Sequence, residues 1–143
     1  MGMNWENLWK AINEEEGLCE RTLRSGQGEV CSIGARCRSL LKELKMEDLE
    51  PTMMFGGIHI TEALEKSRPE IRNFMERLKE EGIVHKFSVG DNGRYTPVWT
   101  SEAAAVVRQN DYFIPTESPK DRKERMLNWV CENIRKNKPA EEK

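Results

Sequence analysis

No apolar run in this sequence approaches the roughly 20 residues that a membrane-spanning helix needs, so no helical span is expected. The first residues, Met1-Gly2-Met3-Asn4-Trp5-Glu6, contain neither a basic start nor an apolar stretch, so a secretory signal is not expected. The myristoylation pattern also fails, because position 6 is Glu rather than Ser or Thr. Histidine is scarce. His59 and His85 stand alone, with no Cys or His at ligand spacing, so no zinc site is expected. Cys19, Cys31, Cys37 and Cys131 include no Cys-x-x-Cys pair, and a reducing, cytoplasmic setting with free thiols follows as the expectation. The phosphate-binding and nucleophile-elbow glycine motifs are missing, and nothing in the spacing pairs a nucleophile with a base. The chain is therefore expected to be no enzyme and to need no cofactor.

What the sequence has in quantity is charge, at 34 % of 143 residues, against 37 % hydrophobic residues. The length suits one domain with helical extensions. The net charge of −2 excludes a uniformly basic nucleic-acid coat but leaves room for a local basic surface. Residues 1–50 hold 7 basic and 10 acidic side chains, residues 51–100 hold 7 of each, and residues 101–143 hold 9 and 8. The stretch 119–138 is locally basic.

Hydrophobic spacing divides the chain into three parts: N-terminal helices over 1–50, a central unit over 51–101, and C-terminal helices with a polar tail over 102–143. Trp5, Leu8, Trp9 and Ile12 form one stripe of a helix starting near Asn4, which Leu18, Cys19 and Leu23 extend if Gly17 does not end it. Residues 25–28 read as a loop. Cys37, Leu40, Leu41 and Leu44 stripe a helix over about 32–45, and Glu50-Pro51 marks a break. Residues 53–64 lead into a short helix ending near Ser67. Ser67 with Pro69 and Glu70 reads as a capping box for a helix over 68–81, whose buried stripe is Ile71, Phe74, Met75 and Leu78. Gly82 ends it.

After Gly82 the period changes from 3.6 to 2. A hairpin is predicted over about 83–100, turning at Gly90-Asp91-Asn92-Gly93, with His85 on the packed face beside Ile83 and Phe87. Pro97 marks an edge of its second strand. A helix then begins at Ser101 and another at Ser118-Pro119, where Met126, Leu127, Val130, Cys131 and Ile134 make an apolar face.

The run Ile60-Thr61-Glu62-Ala63-Leu64-Glu65-Lys66-Ser67-Arg68-Pro69-Glu70-Ile71-Arg72-Asn73-Phe74-Met75-Glu76-Arg77-Leu78-Lys79-Glu80-Glu81-Gly82-Ile83-Val84 resembles the winged helix-turn-helix of bacterial and archaeal transcription regulators. The likeness covers about 45 residues. The layout, with helices flanking the reader, is similar to the MarR type, whose wing is usually longer, and to the PadR type. The resemblance implies a mainly α fold with a small β-hairpin: a winged helix-turn-helix with flanking N- and C-terminal helices. It further implies a sequence-specific transcriptional regulator that binds double-stranded DNA as a homodimer, with a small-molecule effector of undefined identity.

A major groove about 12 Å wide admits one helix. On 68–81, Arg68, Arg72 and Asn73 are candidates for base contacts, with Arg77 and Lys79 beside them, because Arg reads guanine and Asn reads adenine. Ser67 suits a cap and a phosphate contact, and Lys86 and Arg94 on the hairpin suit the backbone or minor groove. Trp5, Trp9, Leu127, Trp129, Val130 and Ile134 are candidate dimerisation residues, since terminal helices seldom find enough core for such rings. The plain alternative is that both helices pack on their own chain. Met53, Met54 and Phe55 are candidate effector-pocket residues or core.

Two further readings stand beside DNA binding. Acidic residues beside the reader helix, with the net charge, fit a winged-helix protein–protein adaptor that binds no DNA. Cys31, near Arg36, is the candidate redox thiol; Cys37 and Cys131 read as core.

Overall fold

A computed structural model describes residues 2–54 and 57–137, with the backbone alone at Met54. The chain is mainly helical with a small antiparallel hairpin, and among the described residues no helix is long and apolar enough to cross a membrane. The elements run α1 (Trp5–Glu14), α2 (Ser32–Glu43), a 3-10 helix (Glu47–Thr52), β1 (Met53–Met54), β2 (Gly57–Ile58), α3 (Glu62–Ser67), α4 (Ile71–Glu80), β3 (Val84–Val89), β4 (Tyr95–Trp99), α5 (Ser101–Asn110) and α6 (Pro119–Lys136).

Helix α1 starts where Asn4 Oδ1 accepts the Asn7 N–H at 3.0 Å, and it buries Trp5, Leu8, Ala11 and Ile12. It ends at Glu14, and residues 18–24 do not continue it. Leu18 and Arg24 instead bridge to Val30, and Leu18 N–H donates to Pro119 O at 3.0 Å. Of the two alternatives at Gly17, the helix thus ends before it rather than continuing through Leu18, Cys19 and Leu23. Tertiary pairing of the backbone claims Leu18, Cys19 and Leu23, and buries all three as core.

Helix α2 is capped by Cys31, whose Sγ accepts the Gly34 N–H at 3.4 Å. Its face is so tightly packed that a Cβ on Gly34 would stand 2.1 Å from the Leu23 carbonyl oxygen. Pro51 lies inside the 3-10 helix rather than breaking the chain there. β1 and β2 form a two-residue ladder, Met53 opposite Ile58, where the sequence suggested an approach to a helix. Phe55 lies outside the described residues, and Met53, at 2 % exposed, is core.

The capping box does not form. Ser67 is the last residue of α3, its Oγ donates to Leu64 O at 3.0 Å, and Glu70, at the head of α4, makes no side-chain cap. The α3 start is what the sequence disguised: Thr61 Oγ1 accepts the Leu64 N–H at 3.1 Å. The second helix of the pair is therefore Ile71–Glu80, shorter than the expected 68–81, and it buries the expected stripe Ile71, Phe74, Met75 and Leu78. Gly82, at φ +75°, ends it, and a Cβ there would meet the Gly2 carbonyl oxygen at 2.5 Å.

β3 and β4 pair antiparallel, from Val84 opposite Trp99 to Val89 opposite Tyr95. A register shift between Val84 and Lys86 turns His85 out to solvent, against its expected place on the packed face. Tyr95 N–H donates to Ile60 O at 2.9 Å, and Thr61 bridges to Arg94, so the chain before α3 lies against the hairpin. Two residues on, Pro97 has no N–H to continue that edge.

The terminal helices α1 and α6 pack on each other. Trp5 and Trp129 meet edge to face, with centroids 5.8 Å apart, and Trp9 Nε1 donates to Leu127 O at 3.1 Å. Trp5 and Val130 are buried within the one chain, while Trp9, Leu127, Trp129 and Ile134 are half-buried against the same core. The rings thus pack on their own chain, Trp5 wholly and Trp9 and Trp129 in part, as the plain alternative had it. Ser118 and Asp121 make the capping box that starts α6. Cys131 is exposed, not core as expected.

Candidate nucleic-acid interface

Helices α3 and α4, the turn 68–70 and the hairpin carry the eight predicted DNA-contacting residues, of which Arg72 lines the cleft between these elements. Pro69 in the turn, Arg72 near the α4 start, Glu62, Glu65 and Lys66 on α3, and Tyr95 on β4 line one open cleft. The bridge between Thr61 and Arg94 holds the turn end of the hairpin beside it.

The charges in this region are mixed. Residues 61–81 carry five basic and six acidic side chains. Arg68 lies in the turn before α4, where it pairs with Asp48 and, at 3.3 Å, with Glu70. Arg72 pairs with Glu65 at 3.1 Å, although its side chain is 73 % exposed. Arg77 reaches Glu43 on α2 at 3.0 Å, and Lys79 pairs with Glu76 at 2.8 Å. Asn73 is exposed on α4. Lys86 and Arg94 are exposed on the hairpin and form no ion pair among the described residues. Glu65 also accepts a hydrogen bond from the Tyr95 hydroxyl. That bond and the Arg72 guanidinium hold the Glu65 carboxyl below its usual range, and the same contact raises the Tyr95 phenol.

Sequence reasoning missed the acidic partners. Asp48 and Glu43 lie 20 and 34 residues before the arginines they meet, outside the run that carries the motif. Glu76–Lys79 and Arg77–Glu80, both at i,i+3 on α4, have the helical spacing that a linear reading can see.

Beneath the region, Arg36 is buried and joins α2 to the end of α4. It pairs with Glu81 at 3.1 Å and Glu43 at 2.8 Å, and Asn7 of α1 donates to the same Glu81 carboxylate. These groups lock the α3–α4 unit to the N-terminal helices. The basic stretch 119–138 also turns partly inward: Arg122 donates to Leu18 O at 2.8 Å, and Arg125 pairs with Glu117 at 2.6 Å.

The candidate redox residue is corrected. Cys31 is buried, and burial pushes its thiol up to about 12, away from the thiolate that oxidants attack. Cys19 and Cys37 are raised for the same reason, to about 11 and about 12. Among the described residues, no group of three or more His, Cys, Asp or Glu is placed to hold a metal ion. Comparison with models of known families, with curated proteins and with solved structures finds no match to this chain.

Proposed function

We propose that the chain is a winged helix-turn-helix protein that binds double-stranded DNA and regulates transcription. The observation that carries the proposal is the joined unit of α3, turn, α4 and hairpin, with Ile60, in the segment before α3, accepting the Tyr95 N–H of β4. In this reading α4 enters the major groove, with Arg72 and Asn73 near its leading end, and Lys86 and Arg94 meet the flanking backbone. The ion pairs do not forbid this. Exposed pairs are worth only about 0–1 kcal/mol, so phosphates can exchange for Glu65 and Asp48. The proposal includes a two-fold dimer, for which the half-buried band of Trp9, Leu127, Trp129 and Ile134 is the available surface.

A second reading has its own support. Arg68, Arg72, Arg77 and Lys79 each already face a carboxylate, as suits a mixed-charge surface that docks a protein rather than a polyanion.

Fluorescence anisotropy of a random duplex pool, at ~50 and ~200 mM salt, separates the two. A DNA reader weakens by orders of magnitude across that range, and Arg72→Ala with Lys86→Ala removes the binding. No binding at the lower salt refutes the DNA reading and leaves the adaptor.

A further inference from the structure

The carboxylates that face the basic residues of α4 and its turn are not equivalent. Asp48, Glu70, Glu43, Glu80 and Glu76, which meet Arg68, Arg77 and Lys79, have side chains between 48 % and 65 % exposed. Glu65, which meets Arg72, is 13 % exposed. An exposed partner exchanges readily for water or a phosphate. A covered carboxylate that loses its cation is left desolvated and unpaired, so this pair resists exchange.

Three elements meet at Glu65. Its backbone N–H donates to Thr61 O at 3.0 Å in the first turn of α3, which Thr61 caps. The Tyr95 hydroxyl of β4 donates to its Oε1. Tyr95 is itself fixed at both ends: Ile60 O accepts its N–H at 2.9 Å, and its ring packs edge to face on Phe87, with centroids 6.3 Å apart. The second carboxylate oxygen, Oε2, accepts the Arg72 Nε–H at 3.1 Å. Hydroxyl, carboxylate and guanidinium thus form a line from the hairpin through α3 to the leading end of α4.

That line leaves one end of Arg72 free. Nε is committed to Glu65, Nη1 and Nη2 have no hydrogen-bond partner among the described residues, and the side chain is 73 % exposed. Guanine presents two acceptors, O6 and N7, on its major-groove edge, and a pair of arginine N–H donors matches them. An arginine free to swivel loses rotamer entropy in that pairing, whereas one held at Nε meets the groove with its fork already set.

We propose that Glu65, braced by Tyr95, is the positioning residue that makes Arg72 a guanine reader, so that the duplex this site selects carries a guanine at the leading end of α4. On the DNA reading above, on which this assignment rests, the exchangeable cations Arg68, Arg77 and Lys79 supply affinity and Glu65 supplies selectivity. Its negative charge opposes phosphates in general while favouring one base.

The test selects bound sequences from a random duplex pool with the native chain, Arg72→Ala, Glu65→Gln and Tyr95→Phe, and reads affinities by anisotropy at ~50 mM salt. The native chain should select a fixed guanine that Arg72→Ala no longer selects. Glu65→Gln should bind the unselected pool at least as tightly as the native chain, having lost a negative charge. It should discriminate against adenine at the selected position roughly tenfold less. Tyr95→Phe, which keeps the ring on Phe87, should lose discrimination by about threefold with pool affinity unchanged. Replacing the selected guanine by 7-deazaguanine, which lacks N7, should weaken native binding about tenfold and Glu65→Gln binding much less. Undiminished guanine preference in Glu65→Gln overturns the assignment, since a phosphate then takes the place of Glu65. Equal weakening of pool and selected site by Glu65→Gln also overturns it, because the role of Glu65 is then structural only. In both cases the DNA reading stands. Failure of the native chain to bind the pool refutes that reading and the assignment with it.

Discussion

At the scale of single residues, burial decides reactivity more than neighbouring charge does. Arg36 is five residues from Cys31, but its guanidinium is committed to Glu81 and Glu43. The Cys31 thiol is left in an apolar setting, capping α2. Brief alkylation of the native protein with iodoacetamide should therefore label Cys131 alone, with Cys19, Cys31 and Cys37 reacting only after unfolding. Peptide mass spectrometry reads the outcome, and fast native labelling of Cys31 would contradict its burial. Glu117 is the opposite case. The Arg125 hydrogen bond holds its carboxyl below the ordinary value, so its contribution is present above the unfolded pKa of about 4.3 and is lost as pH falls through the lower folded value. Glu117→Gln should cost about 2 kcal/mol at neutral pH and flatten the loss of stability on acidification, measured by urea unfolding across that range.

At the scale of elements, the packing of α2 is set by the absence of a side chain. Gly34 lies one turn into the helix, and the Leu23 carbonyl approaches where its Cβ would be. Gly34→Ala should destabilise the protein by about 3 kcal/mol, because backbone rather than a flexible side chain must move. Gly26→Ala, whose Cβ meets nothing within 4 Å among the described residues, should be nearly neutral. Denaturant melts of the two variants, side by side, test this. Elements with strong internal spacing were legible from sequence: α1, α2, α4, the β3–β4 hairpin and the start of α6 at Ser118. Those fixed by distant partners were not. The β1–β2 ladder is two residues long, too short to carry a period. Ser67-x-x-Glu70 matches a capping pattern, but the chain keeps Ser67 in α3 and turns through Arg68, which Asp48 holds from the 3-10 helix. His85 follows the strand alternation, and a bulge reverses its side.

At the scale of the whole molecule, α1 and α6 close on each other, bringing residues 5 and 129 into contact. Trp5→Ala should cost about 3–5 kcal/mol, read by denaturant unfolding, because the ring is buried against Trp129 of the same chain. A loss below about 1 kcal/mol would contradict that packing.

What the sequence determined by itself was the set of strong local periods: mainly helical, with one hairpin after Gly82, a buried stripe on α4, and no helical span. Those features depend on neighbours within one or two turns, which a linear reading contains. Only the tertiary structure decided which charges are free. Arg68 and Arg77 are neutralised by Asp48 and Glu43 from earlier elements, Arg36 is buried among acids, and Arg21 and Arg108 are left unpaired beside an apolar cavity. Electrostatic pairing follows distance in space, and the residues that meet here are separated by tens of positions along the chain.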